Sequence, residues 1–537
     1  MMHFYDFETA DANPSTPILQ FASVSTDHDL NVIKGSETNL IAKPSRHALP
    51  APIAFMIHML DLEHLKEHGL SERALVQHVV NIFLHSPNSQ MAGYNTLSFD
   101  DKVLQHACFR NMLPPYDHQF MNGNTRFDVF KLVQLMFAFR PESLEFPKKE
   151  DGSFSLKLEQ LSAANGIVHE RAHDALSDVY ATIGLARIIK GAEEKLYRFA
   201  QSMTVKQNAQ DLILQGVPLL HVNFKYQQEN RNTSLVHPLC VDASNKNKYI
   251  IANLREDPYN MLNMSPQELR HFMFTKREEL AEDAPRVGVS QVGINDMPLI
   301  VPAKNMLTPA LATSMNLDVD QCMRNLEMIR QTVGFQSRIQ EAYAYESKTP
   351  IHVFDTLYSG GFIDSKVDAP IRKEMSLKTD DELSQVDAVS VANRSKDKTR
   401  MLELLVALKP EPGNLIEKAL LHRQLKTQFF DVESRQSFDS FYKAVSAVRM
   451  EKELSPEQEV VMEQVIAHVE GLRDKFLILQ NEVVEKFPEL EKEIAERKLH
   501  WLKPYINQQY GNGIIAVHVP EAVAKRQEAK SDGPGMG

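Results

Sequence analysis

Asp6 and Glu8 stand two positions apart in the aromatic-rich stretch MHFYDFET. Residues two apart on a β-strand point to the same face, so both carboxylates project together and break the apolar alternation of a buried strand. Burying them unpaired is costly, and a hard divalent cation that takes their oxygens as ligands removes that cost. The same pair also reads as a solvated strand end. A third carboxylate, Asp100, follows the strand-like QMAGYN and opens a helical run. It serves there either as a ligand or as a carboxylate favoured by the helix dipole, and Asp101 is an equal candidate for the cap. His173 and Asp178 flank the start of a strongly apolar helical run. Five positions within one helix set two side chains about 140° apart, so these two converge only if His173 lies on the loop before the helix, with Asp174 as N-cap. An imidazole with a pKa near 6.5 suits a general base at neutral pH; a histidine in front of a helix is otherwise an ordinary surface residue.

The elements that would position these groups alternate between strand and helix over the first 190 or so residues. Residues 3–9, 17–26 and 30–43 read as three strands separated by Asn, Asp, Pro and Gly turns. Residues 71–86 carry helical apolar spacing behind a candidate N-cap, Ser71. A short strand follows at 90–95, then helices at 99–112, 125–140, 156–166 and 175–191, the last closed by Gly191. This order predicts an α/β fold with a mixed sheet, compatible with an RNase H-like core. From 192 to 345 the pattern changes to short strands at 217–224, 234–243, 248–254, 286–294 and 298–306, with a helix at 265–283 behind a capping-type start. A small β-barrel is expected there. After about 350 the chain reads as helices, and the tail beyond Gly513 reads as disordered.

A length of 537 residues allows two to four domains, and 43% hydrophobic with 24% charged residues is the composition of a globular protein. Three cysteines without CxxC spacing supply neither a disulfide framework nor a zinc cage and suit a reducing compartment. No apolar run approaches the roughly 20 residues that span a bilayer, and the start of the sequence carries no basic n-region, so a cytoplasmic protein without a membrane partner is expected. The net charge of −12 disfavours nucleic-acid binding over the whole surface but permits a local basic groove. A monomer is expected.

The motifs D-x-E, a second Asp at a helix start, and H-x-x-x-x-D resemble the DEDDh branch of the DnaQ-like exonucleases, with all five positions filled by Asp6, Glu8, Asp100, His173 and Asp178. The strings YDFET, GYNTLSFDD, LKLEQLSAANGI, AHDALSDVYATI and NTSLVHPL extend the resemblance to the bacterial exodeoxyribonuclease I family. That resemblance implies an exonuclease domain at 1–192, an SH3-like β-barrel domain at 193–348, a helical domain at 349–512 and a tail at 513–537. It implies processive 3′-to-5′ degradation of single-stranded DNA to 5′-mononucleotides, in repair and recombination. Four carboxylates, Asp6, Glu8, Asp100 and Asp178, would hold two Mg²⁺ ions about 4 Å apart, with Mn²⁺ as a substitute, and His173 would accept the proton of the attacking water. The resemblance also implies that the Thr9 backbone N–H reaches the terminal 3′-OH, that Asn95 and Lys157 contact substrate, and that Arg140 receives the C-terminal tail of single-stranded-DNA-binding protein. Lys157 stands where the family can carry arginine and lacks its bidentate fork; a solvated helix-start cation is the other reading. Arg140 also reads as a helix-end cation facing the dipole. Phe4, Phe7 and Phe99 read as core, with base stacking the other use. A ribonuclease or proofreading subunit is the rival enzyme reading, disfavoured by the long extension after 192; a scaffold without chemistry is disfavoured by the complete acidic set.

Overall fold

The computed structural model describes residues 1–169, 174–344, 353–430, 434, 436–451 and 453–502. Five strands form the first sheet: β1 (Met2–Thr9), β2 (Ile18–Thr26), β3 (Thr38–Ile41), β4 (Gln90–Gly93) and β5 (Thr125–Asp128), in the order β3-β2-β1-β4-β5. β1 pairs antiparallel with β2, and β2 with β3, whereas β4 runs parallel to β1 and to β5. The sheet is therefore mixed, as expected. Its two faces divide β1 by the pleat. Tyr5 and Phe7 enter a core with Val76, Val79, Val103 and Leu104, from the helices Glu72–Leu84 and Asp100–Arg110. Met2 and Phe4 face the other way, into a core with Val179 and Ile183 of the helix Ala175–Ala192. Asp6 and Glu8 continue the row begun by Met2 and Phe4 into a half-buried zone. Phe4 and Phe7 are thus core residues, and Phe99 is a partly buried member of the Tyr5 cluster.

Several local expectations hold at the level of single hydrogen bonds. Ser71 caps its helix by accepting from Ala74 N, and Asp174 caps the Ala175–Ala192 helix by accepting from Ser177 N. Ser265 and Glu268 form a reciprocal capping box at the helix Pro266–Phe274, which ends nine residues earlier than the 265–283 pattern implies. Others are corrected. Residues 30–43 hold only the four-residue β3. Residues 125–140 are not one helix: β5 comes first, and Asp128 then caps the helix Val129–Phe139 by accepting from Phe130 N. The helix at 175 runs to Ala192, so Gly191 lies in its last turn and does not close it.

The second sheet consists of β6 (Leu219–Val222), β7 (Thr233–Val241), β8 (Lys248–Asn253), β9 (Val289–Gly293) and β10 (Ile300–Pro302), all antiparallel in the order β10-β6-β7-β8-β9. Its apolar residues join the same core as Met2 and Phe4, and Met297, between β9 and β10, accepts at Sδ from Asp128 N at 3.4 Å. The remainder is helical, including Lys398–Leu408, Leu415–Phe430, Phe438–Glu451 and Pro456–Glu485. Arginines attach it to the first sheet's layer. Arg46 donates to Lys409 O at 2.6 Å and Arg73 to Ser376 O at 2.9 Å, while Arg372 and Arg400 each lie 4.9 Å from the Phe109 ring centroid. Cys108, Cys240 and Cys322 are free thiols, and among the described residues no helix is long and apolar enough to cross a membrane. The tail 513–537 lies outside the described residues.

Candidate metal centre

The carboxyl end of β1 meets the first turn of the Ala175–Ala192 helix. Asp6, Glu8 and Asp178 each present an oxygen there, all within 4.8 Å of one another and all half-buried. Two come from one strand face and the third lies one turn inside a helix whose N-terminal dipole favours negative charge. Asp100 opens the helix that follows β4, is buried, and accepts from Phe7 N at 3.2 Å through Oδ1. It stands beside the trio but is not one of the three oxygens that share the 4.8 Å sphere. Crowding these charges away from water raises their proton affinity. Burial, then the neighbouring carboxylates, pushes Asp6 well above the usual range and Glu8 up to about 9. Burial pushes Asp100 up to about 8, against the opposing backbone N–H donors. Such a set is stable in ionised form only with positive charge among the oxygens, and an all-carboxylate donor set is chemistry that fits a hard divalent cation.

His173 lies outside the described residues. The other expected site residues are more scattered. Thr9 sits at the β-bulge that ends the β1–β2 register and donates from Oγ1 to Asp11 O at 2.8 Å. Asn95 is exposed, in the left-handed region at φ 63°, with its N–H donated to Asp128 Oδ1 at 2.8 Å. Gly93 begins this turn, and a Cβ there would lie 2.7 Å from Tyr5 O and 2.2 Å from the Thr96 side chain. Lys157 precedes the helix Leu158–Ala164, is exposed, and pairs with Glu159 at 3.6 Å. Arg140 follows the helix Val129–Phe139, with Nε 3.5 Å from Glu193 Oε2 and Nη1 donating to Phe139 O.

Two contributors, Asp128 and His169, escape a reading of the sequence, and a third, Asp101, has a role other than the expected cap. Asp128 accepts from Asn95 N, Leu97 N and Phe130 N, so one buried carboxylate shapes the loop that leads into Asp100; burial pushes it up to about 6. Its N-cap position before an apolar helical run was the available signal. Asp101 is neither cap nor ligand: the N-cap position belongs to Phe99, without a side-chain cap, and Asp101 is bound by Tyr5 and Arg126. His169 hydrogen-bonds through Nε2 to Asp178 Oδ1 at 2.6 Å, and no local pattern marks it.

Residues 3–186 match the family model described as exonuclease, and residues 204–345 match that described as exonuclease I SH3-like domain. The chain is 34% identical to exodeoxyribonuclease I of Haemophilus influenzae over 364 residues, covering 67% of this chain and 76% of that protein. It is 32% identical to exodeoxyribonuclease I of Escherichia coli over 367 residues, with the same coverage. Among solved structures, a moderately thermophilic exonuclease I from Methylocaldum szegediense superposes with a TM-score of 0.79 at 29% identity, over 88% of this chain and 99% of that one. A zinc-bound E. coli exonuclease I complex with single-stranded DNA superposes at 0.79 with 26% identity, and an SSB/exonuclease I complex with an inhibitor at 0.77 with 26%, each over 88% of this chain and 99% of that one.

Proposed function

The chain belongs to the exodeoxyribonuclease I family, and from that premise we propose that it degrades single-stranded DNA processively from the 3′ end, releasing 5′-mononucleotides. The observation that carries the reading is the convergence of Asp6, Glu8 and Asp178 within 4.8 Å, with Asp100 buried alongside. Asp6, Glu8, Asp178 and Asp100 are the residues that would hold two magnesium ions, or manganese in their place. Bound there, the metal supplies activation of water and neutralisation of charge at phosphorus. The residues supply the rest: His173 takes the proton of the attacking water, the Thr9 backbone and Asn95 meet the terminal nucleotide, and Lys157 contacts phosphate as a point charge. The zinc-bound and DNA-bound relative supports both the metal and the substrate class.

The reading extends to the rest of the chain. We assign 1–192 to the exonuclease domain, 193–348 to the SH3-like domain and 349–512 to the helical domain, acting together as a monomer in the cytoplasm, in DNA repair and recombination. Arg140 receives the acidic C-terminal tail of single-stranded-DNA-binding protein, a partner supported by the SSB complex of a relative. Its guanidinium suits a terminal carboxylate.

Digestion of 5′-labelled and 3′-labelled single strands, duplex DNA and RNA over a magnesium titration tests this. Early release of the 3′ label as mononucleotide, dependent on magnesium and confined to single-stranded DNA, is the expected result. Preference for RNA, or release from the 5′ end, overturns the substrate and polarity.

A further inference from the structure

The sequence between the helices Leu158–Ala164 and Ala175–Ala192 holds two histidines, His169 and His173, of which the structure describes the first. His169 Nε2 lies 2.6 Å from Asp178 Oδ1, and the imidazole is almost wholly enclosed, with 5% of its side-chain surface exposed. An ionised carboxylate only accepts, so the ring nitrogen in this bond is the protonated one. The remaining nitrogen, Nδ1, is buried without a hydrogen-bond partner among the described residues. A buried imidazole with one unpaired nitrogen is an unfavourable placement unless the bond it makes is needed.

We infer that His169 is a positioning residue that orients the Asp178 carboxylate for the metal centre, an inference that rests on the metal reading above. Asp178 faces Asp6 and Glu8 within 4.8 Å, and its side chain has more than one staggered rotamer, so the backbone alone does not fix its carboxylate toward the other two. Asp6 and Glu8 are held by the strand that carries them, whereas Asp178 projects from the first turn of a helix. A fixed donor on one oxygen holds the carboxylate in the direction of the other two, and such outer partners of ligating groups govern metal affinity. The same enclosure separates the two histidines by task. His169 has its protonated nitrogen committed to Asp178 and little access to water, so it orients a ligand; the proton of the attacking water is left to His173.

The test is direct Mn²⁺ binding to the full chain, by paramagnetic resonance or calorimetry, alongside magnesium titrations of digestion. His169→Ala raises the Mn²⁺ dissociation constant and the half-activating magnesium concentration about 10- to 100-fold, with KM for single-stranded DNA unchanged at saturating metal. His169→Gln, whose amide N–H reaches the same oxygen, recovers binding to within about threefold of the parent and keeps its pH–rate profile. Parental Mn²⁺ affinity in a folded His169→Ala protein overturns the inference. So does a folded His169→Gln protein that binds as poorly as the alanine variant, and this variant alone decides if His169→Ala does not fold. Failure of the parent protein to bind Mn²⁺ at all overturns the metal reading itself, so the two failures are distinguishable.

Discussion

Arg126 donates to the Asp101 carboxylate at 2.7 Å, and its other nitrogen donates to Asn295 O at 2.5 Å, between β9 and β10. Asp101 accepts in addition from Tyr5 OH at 2.5 Å. Two residues of this network are next to pieces of the metal centre: Tyr5 precedes Asp6 and Asp101 follows Asp100. Two adjacent carboxylates are thereby given opposite roles, one turned to the acidic cluster and the other used to fasten the first helical turn to β1 and to the second sheet.

Loss of that fastening has a large cost. Arg126→Met leaves Asp101 buried without its cation, an imbalance worth about 3–5 kcal/mol. A drop of several degrees in the thermal midpoint is expected, largely restored in an Arg126→Met/Asp101→Leu double variant. An unchanged midpoint in the single variant would mean that Asp101 finds other compensation.

Metal-free protein is expected to lose stability as pH rises from 7 to 9. Glu8 and Asp100 keep protons in the folded state up to about 9 and about 8, whereas in the unfolded chain they release them near pH 4. The unfolded state therefore binds fewer protons through this window, and stability falls with increasing pH. Buried histidines such as His3, held down to about 4, act in the opposite sense, and only below about pH 6.5. Differential scanning calorimetry should show the decline without metal, its removal by saturating magnesium, and a shallower decline in Asp6→Asn. That variant is also expected to be inactive and, without metal, more stable than the parent at pH 8.

Replacing the base separates proton transfer from metal binding. His173→Ala should lower turnover about 10²- to 10⁴-fold while leaving Mn²⁺ affinity near that of the parent. Parallel loss of metal binding would place His173 among the ligands.

Arg140 is engaged by Glu193 at 3.5 Å, so a carboxylate-terminated peptide must displace an existing partner. Binding of a fluorescent acidic C-terminal peptide, read by anisotropy, should strengthen several-fold in Glu193→Ala and weaken in Arg140→Ala. Indifference to both substitutions would remove Arg140 from the partner surface.

In the helical region Lys409 and Glu417 form an ion pair at 2.6 Å with both side chains almost fully enclosed, and Glu417 also accepts from the N–H groups of Ala388 and Gly413. Lys409→Met strands that charge and should cost about 3–5 kcal/mol, seen as a lower denaturation midpoint.

What could be read along the chain was what depends on a few consecutive residues. The strand period of two placed Asp6 and Glu8 on one face, the helical period and capping chemistry marked Ser71, Asp174 and Ser265, and short β-branched runs located all five strands of the second sheet. These are interactions between positions two to four apart, so a short window contains both partners. What the sequence alone left undecided depended on partners far away. The strand at Thr125–Asp128 was hidden inside a helical apolar pattern because the edge that recruits it, β4, lies some thirty residues earlier. Asp100 and Asp101 have the same local claim to the helix start; Tyr5, 96 positions from Asp101, and Arg126, 25 positions away, decide between them. His169 carries no pattern at all, and its role exists only because the fold brings its ring against Asp178, nine positions away. Local geometry sets which way a side chain points, but the charge it keeps and the partner it meets are set by burial and by distant groups, which only the closed tertiary structure brings together.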